Sequence, residues 1–391
     1  MAFVKVAQQV YVPSLPTLWP HMLAGEGATP GWLPFSHARA HWFYFARNAL
    51  WTAVRILGLE GSEVLLPAYH HGVEVEALVD AGMVPRFYRV GPRWEVDLED
   101  LERRITPSTR VLYLEHYAGF PGPAAEVRQL ADAHGIMLWE DCALSLLAAD
   151  GDQPVGTTGD LAFFCLYKTL PLPHGGAMVI NGERDYALPE MPRPGWASTF
   201  SHLASSLLQN AELRGGKVGG ALRSTVRLMG KGAVAASRVE RVATGTRHFE
   251  REQVGLGLSP LTLRIASNID LADVVERRRR NAFLLMAQLR EVAPPLLTQL
   301  PPGACPLFFP LLVEDKPAVL RGLREAGIDA IDFWRDFHPA CPASEFPDVA
   351  RLRRSVVEIP CHQDLSTERM QQIAAITRRV VHAAGTRRAH G

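Results

Sequence analysis

The chain has 391 residues, 47% of them hydrophobic and 21% charged, which is enough to bury more than one core and excludes a small disulfide-stapled scaffold. Lysine plus arginine equals aspartate plus glutamate at 41 each, so no whole-chain field draws it to nucleic acid. The five cysteines (Cys142, Cys165, Cys305, Cys341, Cys361) are odd in number and form no CxxC pair, so neither a disulfide framework nor a structural zinc site is expected.

A reducing, cytoplasmic setting fits that cysteine usage. The opening residues lack a basic stretch followed by an unbroken apolar run, and no uncharged apolar run of about 18 residues occurs, so neither export nor membrane insertion is expected.

In chain order, Ala46 opens an apolar-periodic helix running to Leu57. A strand is expected over Glu63–Leu66, a helix over Val73–Ala81 ended by Gly82, and a strand over Val84–Val90. The pattern repeats as a strand at Val111–Glu115, a helix over Ala124–His134 closed by Gly135, and a strand at Ile136–Trp139. Leu161–Leu166 and Ala177–Ile180 add two buried runs. This alternation is the mark of βαβ units on a mainly parallel sheet.

Between Arg214 and Arg251 lie nine Lys or Arg, two Glu and seven Gly, which reads as part of a basic helical insertion over about 190–250. A solvated helix face is the favoured reading of that stretch, with membrane-surface contact as the minor one. The run Arg277–Arg280 is likewise expected to be a wet helix face rather than a nucleic-acid site. A strand over Pro306–Val313, a helix over Pro317–Glu325, a strand at Ile328–Ile331 and a final helix capped by Ser366 form a second α/β unit. The expected division is therefore 1–260 and 261–391.

Several motifs fail. Gly230-Lys231 is followed by Gly232 where a P-loop needs Ser or Thr, and Gly255-Leu256-Gly257 runs to Pro260 where a dinucleotide fingerprint needs glycine. His37 and His41 have the spacing of one helix face but no carboxylate partner nearby, so no metal is expected.

The chemistry lies just after the strands, where open α/β sheets bind their ligands. His70 and His71 follow one strand, His116 the next, then Asp141, then Lys168. An Asp and a downstream Lys on neighbouring strand ends are what a pyridoxal phosphate enzyme requires. The lysine forms a Schiff base and moves a proton, and the carboxylate keeps the pyridine nitrogen protonated. The helix opened by Ala46-Arg47-Asn48 offers backbone N–H groups to a phosphate, and His71 is placed to cover the ring.

These segments resemble the DegT/StrS family of fold-type-I pyridoxal phosphate enzymes, best known as sugar aminotransferases. The resemblance is carried in order by FARNALWTAVRILGLEGSEVLLPAY, DAGMVPRFYRV, WEVDLEDLERRITPSTRVLYLEHYAGFPG, HGIMLWEDCA, GDLAFFCLYKTLPLPHGGAMVIN and VVEIPCHQDLSTERM. It implies a mainly parallel sheet of seven-stranded type flanked by helices, with a smaller C-terminal α/β domain.

It also implies Lys168 as the Schiff-base lysine, Asp141 as partner of the pyridine nitrogen, and Arg47 and Asn48 at the phosphate. His71 falls where an aromatic stacks on the ring, and Cys165 lies three residues before the lysine, where a serine commonly binds the phosphate. His116 matches a family position and is expected to serve catalysis. His174 and His362 are candidates for substrate contact.

This chain departs from the family at Leu144, where Gln is usual, and at Ser145, where His commonly follows. His174 replaces an acidic residue, and the "NYRM" block has no counterpart near Gly255–Ser259.

The activity implied is transfer of an amino group from an amino acid, glutamate first, to a keto acceptor such as a nucleotide-linked keto sugar, in a homodimer with shared active sites. The alternatives are dehydration or elimination on a sugar with the same cofactor, and a non-catalytic relative that binds cofactor as a regulator.

Overall fold

The computed structural model describes residues 11–25, 27–184, 186–215, 248–294 and 296–388. The first seven long strands in it are β1 (Ala40–Phe43), β2 (Glu63–Pro67), β3 (Val84–Tyr88), β4 (Thr109–Glu115), β5 (Met137–Asp141), β8 (Leu161–Cys165) and β9 (Gly176–Ile180), with a small hairpin of β6 (Ala149–Asp150) and β7 (Gln153–Pro154) between them. They form one sheet in the order β1-β9-β8-β5-β4-β2-β3. The four neighbour pairs from β3 across to β8 are parallel, while β9 pairs antiparallel with both β8 and β1. All carboxyl ends of β2, β4, β5 and β8 therefore open on one edge.

The crossover helices are α1 (Ala46–Leu57), α2 (Val73–Asp80), α3 (Leu98–Arg103) and α4 (Ala124–His134). Both α1 and α4 stop where expected, at Gly58 and Gly135. Each of these sits in the left-handed region at φ 64°, a conformation that costs glycine little. Strands β4, β5, β8 and β9 are buried on both faces, which is why their sequences are apolar runs rather than alternating ones.

Helix α5 spans 196–215, and the rest of the basic stretch expected over about 190–250 lies largely outside the described residues. The chain resumes with α6 (Pro260–Ala266) and α7 (Leu271–Leu289), then β10 (Phe309–Leu312), α8 (Lys316–Glu325), β11 (Ile331–Asp332), α9 (Pro347–Ser355), β12 (Val356–Ile359) and α10 (Thr367–Arg388). Strands β10, β12 and β11 form a separate antiparallel sheet around its own apolar cluster. Ser366 Oγ accepts the Arg369 N–H at 3.2 Å, the cap anticipated for α10.

Three expectations are corrected. His41 lies in edge strand β1 rather than on a helix shared with His37, because Ala40–Phe43 finds an antiparallel partner in β9. The run Ile328–Ile331 is not one strand: Ile328 bridges to Val12, and only Ile331 and Asp332 join β12. Arg277–Arg280 is not a uniformly wet face. Arg278 is fully buried and donates to the carbonyls of Pro306, Leu307 and Thr169 at 2.8–3.1 Å, and Arg279 donates to those of Pro301 and Ala304. Helical spacing cannot reveal that a facing loop presents carbonyls.

Candidate active site

Lys168 stands in the turn after β8, half-buried. That turn is pinned from the C-terminal part of the chain, since Arg278 Nη2 and Gln363 Nε2 both donate to the Thr169 carbonyl, at 2.9 and 3.1 Å. Gly176 lets the following strand pass beneath α1: a Cβ there would lie 2.3 Å from the carbonyl carbon of Phe45 and the nitrogen of Ala46. The start of α1 is thereby pressed against the strand next to the lysine's own.

Asp141 ends the neighbouring strand. Its Oδ2 accepts the Tyr113 hydroxyl at 2.5 Å and its Oδ1 the Ala143 N–H at 2.8 Å. Burial raises its pKa; the Tyr113 hydrogen bond and the Lys168 charge pull it back only in part. Glu115, in register with Asp141 across β4 and β5, is 4% exposed and has its pKa pushed well above the carboxylate range by burial and then by Asp141. Arg353 of α9 closes the site from the other sheet's side, donating to the carbonyls of Trp334, Ala68 and His70.

At the N-terminus of α1, Phe45 caps without a side-chain hydrogen bond. Arg47 is the second residue of α1, buried, with its guanidinium carbon 3.7 Å from the Phe45 ring centroid and its charge beside Tyr167 and Cys165. Asn48 donates its side-chain amide to the Gln253 carbonyl at 2.8 Å, so its side chain belongs to the packing of α1. The Cys165 thiol is buried and its pKa raised by that burial, which leaves it a neutral, weak donor.

The histidines divide. His71 is exposed, its ring edge-on to Trp334 at 6.4 Å, while its backbone N–H bonds Glu74. His70 is the buried one, bonded to the Pro67 carbonyl and held neutral by burial with a pKa lowered to about 3.

His116 is 1% exposed and has both ring nitrogens engaged: Nε2 donates to Glu140 at 2.9 Å and Nδ1 accepts the Gly122 N–H at 2.9 Å. His174 stacks on Tyr44 at 4.0 Å, and His362 donates to the Pro13 carbonyl at 3.0 Å. Both are buried, and burial lowers their pKa values to about 3 and about 4. The structure thus brings together Lys168, Asp141, Arg47 and Cys165, and packs His116, His174 and His362 into the framework.

Sequence reasoning missed Tyr113, Glu115, Arg353, Arg278 and Gln363. For the first two a signal existed: strand alternation puts residues 113 and 115 on one face, and the register adds Asp141 to it.

Residues 46–191 match the sequence model of the DegT/DnrJ/EryC1/StrS aminotransferase family. The chain is 33% identical over 139 residues to GDP-perosamine synthase of Vibrio cholerae, which covers 34% of this chain and 38% of that enzyme. It is 35% identical over 132 residues to dTDP-4-dehydro-2,3,6-trideoxy-D-glucose 4-aminotransferase of Saccharopolyspora spinosa, covering 33% of this chain and 34% of that enzyme. The matched part is therefore well under half the length of these relatives.

Fold likeness extends further. The aminotransferase TlmJ from Streptoalloteichus hindustanus superposes with a TM-score of 0.61 at 20% identity, over 89% of this chain and 87% of that one. Spr1654 from Streptococcus pneumoniae in its PLP form superposes at 0.66 and 15% identity, over 95% of this chain and 99% of that one. The chain thus has a mixed α/β fold like that of these structures, a mostly parallel sheet with helices on its faces. No described helix is long and apolar enough to cross a membrane.

Its donor set fits pyridoxal phosphate. Asp141 is a buried carboxylate satisfied by only two neutral donors, which leaves acceptor capacity for a cationic ring N–H. Lys168 is the amine facing it, and a buried guanidinium at an uncapped helix N-terminus suits a phosphate.

Proposed function

We propose that the protein is a pyridoxal phosphate-dependent aminotransferase that moves an amino group from an amino acid, glutamate first, to a keto acceptor, with a nucleotide-linked keto sugar as the leading class. The observation that carries this reading is the buried Asp141 carboxylate facing the Lys168 amine at the ends of adjacent parallel strands, inside the family-matched segment. The cofactor, when bound, supplies the electron sink that lets nitrogen pass between two carbon skeletons.

The chain's own residues do the rest. Asp141, oriented by Tyr113 and Ala143, holds a proton at the ring nitrogen. Lys168, its turn fixed by Arg278 and Gln363, would anchor the cofactor and serve as the base and acid that moves the substrate proton. Arg47 and the first-turn amides of α1 take the phosphate, with the Cys165 thiol a lesser neighbour and His71 covering the ring. His116 acts through Glu140 on the strand ends. Residues 1–260 carry the cofactor and 261–391 form the smaller C-terminal α/β domain.

The likeness to GDP-perosamine synthase and to dTDP-4-dehydro-2,3,6-trideoxy-D-glucose 4-aminotransferase supports the acceptor class. On the same reading the protein is cytoplasmic and works as a homodimer. The stacked, exposed pair Trp196 and Phe200 on α5 is apolar surface of the kind buried between copies.

Reconstitution tests the core of this. Pyridoxal phosphate added to the purified protein is expected to give a visible absorbance band, absent in Lys168→Ala, that bleaches on adding an amino donor. Borohydride treatment is expected to fix the cofactor to Lys168 in a peptide map. A wild-type protein that gives neither the band nor the adduct sinks the proposal, as does a band that no amino donor changes.

A further inference from the structure

Glu115 is a carboxyl with one oxygen, Oε2, in a place that offers it no donor. Strand β4 is otherwise apolar at its centre, and alternation aims Tyr113 and Glu115 at the face that Asp141 occupies on β5. Glu115 Oε2 is buried without a hydrogen-bond partner. Most donors around it are spent elsewhere, and the two that are not, Tyr69 Oη and Arg353 Nε, do not bond it. Tyr113 gives its hydroxyl to Asp141, Tyr88 to the Tyr113 carbonyl and Tyr117 to the Tyr69 carbonyl, while the Arg353 guanidinium serves three backbone carbonyls.

A buried carboxylate needs donors or a cation in contact, whereas a buried carboxylic acid needs far less. The charged and titratable groups facing Glu115 are Asp141 on β5, Glu74 on α2, Lys168 after β8 and Arg353 on α9. The phenols of Tyr69, Tyr88, Tyr113 and Tyr117 complete the set. The two carboxylates named first both oppose a second charge.

We propose that Glu115 is the proton-holding partner of Asp141, so that the pair carries one negative charge, on Asp141, while Glu115 remains a neutral acid. It is a positioning residue: by staying uncharged it leaves Asp141 as the sole anion directed at the ring nitrogen. This functional consequence rests on the cofactor reading above; the protonation itself does not.

The test uses apoprotein. A folded state that retains a proton which the unfolded chain releases loses stability as pH rises above the ordinary carboxylate pKa. Thermal unfolding between about pH 5 and 8 is therefore expected to show Glu115→Gln gaining on wild type as pH increases. A gap that is flat with pH overturns the proposal.

Infrared spectroscopy gives a second readout that does not depend on the variant's stability. Wild type is expected to show a protonated-carboxyl band at neutral pH that titrates at lower pH in Asp141→Asn, where the opposing charge is gone. The Glu358 carboxyl, pushed to about 8 by burial against the pull of Lys168 and Lys316, adds to that band and is removed with Glu358→Gln. If the Glu358→Gln protein shows no remaining band, Glu115 is ionised and the proposal fails. Titrating pyridoxal phosphate into wild type keeps the two readings apart: no binding there ends the cofactor reading, while the proton measurements still decide the pair.

Discussion

Two adjacent carboxylates on β5, Glu140 and Asp141, point to opposite faces of the sheet and meet opposite environments. Glu140 is fully buried yet accepts four donors: His116 Nε2 and the N–H groups of Gly156, Thr158 and Gly159. Burial raises its pKa, but the His116 hydrogen bond and the backbone N–H groups outweigh it, and the net shift is downward. Asp141 has two donors and the net shift is upward. The same split runs through the neighbouring strand, where His116 serves Glu140 and Glu115 lies beside Asp141. A carboxylate saturated with donors is a staple, and one left with spare acceptor capacity beside a lysine is available for chemistry.

The Glu140 network also contains a buried His116–Glu140–Cys142 cluster whose ligand atoms lie within 4.8 Å of one another. The hydrogen bonds already occupy Glu140 and both nitrogens of His116, so the cluster reads as framework.

The comparison is broken most readily at the staple. Glu140→Ala strands four buried donors and is expected to cost about 3–5 kcal/mol in denaturant unfolding, with the fold of residues 154–160 lost first. Because the Glu140 pKa is lowered on folding, its contribution is present above the unfolded carboxylate value of about 4.3 and disappears as pH falls through the folded value. Glu140→Gln is therefore expected to flatten the acid limb of the stability profile.

Asp141→Asn is expected to do the reverse: stability within about 1 kcal/mol of wild type, and amino-transfer rate down by roughly 100-fold or more in a coupled assay. Equal stability losses at 140 and 141 would erase the distinction.

Arg278→Met sharpens it from outside the sheet. It removes three carbonyl partners, one of them on Thr169, and is expected to cost about 2–4 kcal/mol and to weaken cofactor binding measured by titration. The smallest effect is expected at Cys165→Ser, where a stronger donor replaces a buried thiol near Arg47: cofactor affinity improves by a few-fold, about 0.5–1 kcal/mol.

Much of this was legible along the chain. The βαβ rhythm, the glycines that stop α1 and α4 and the ordered strand-end residues Asp141 and Lys168 are local signals, readable because helix and strand impose different periods on the same apolar residues. His116 was legible only as a strand-end residue. Its assignment to the Glu140 side follows from register, since His116 and Leu114 share the face opposite Glu115. His174 and His362 look like polar residues near ligand-bearing motifs, but stacking on Tyr44 and a bond to Pro13 account for their burial.

The sequence by itself determined the βαβ order of the large sheet from β2 to β8, the family likeness and which residues end those strands, because these depend on neighbours within a few positions. Only the tertiary structure decided which of two adjacent carboxylates is saturated, that Arg278 reaches across to the lysine's turn, and that Glu115 lies next to Asp141 with its Oε2 lacking a donor. Those outcomes depend on donors supplied from up to about a hundred residues away, and no local pattern encodes where a distant N–H will point.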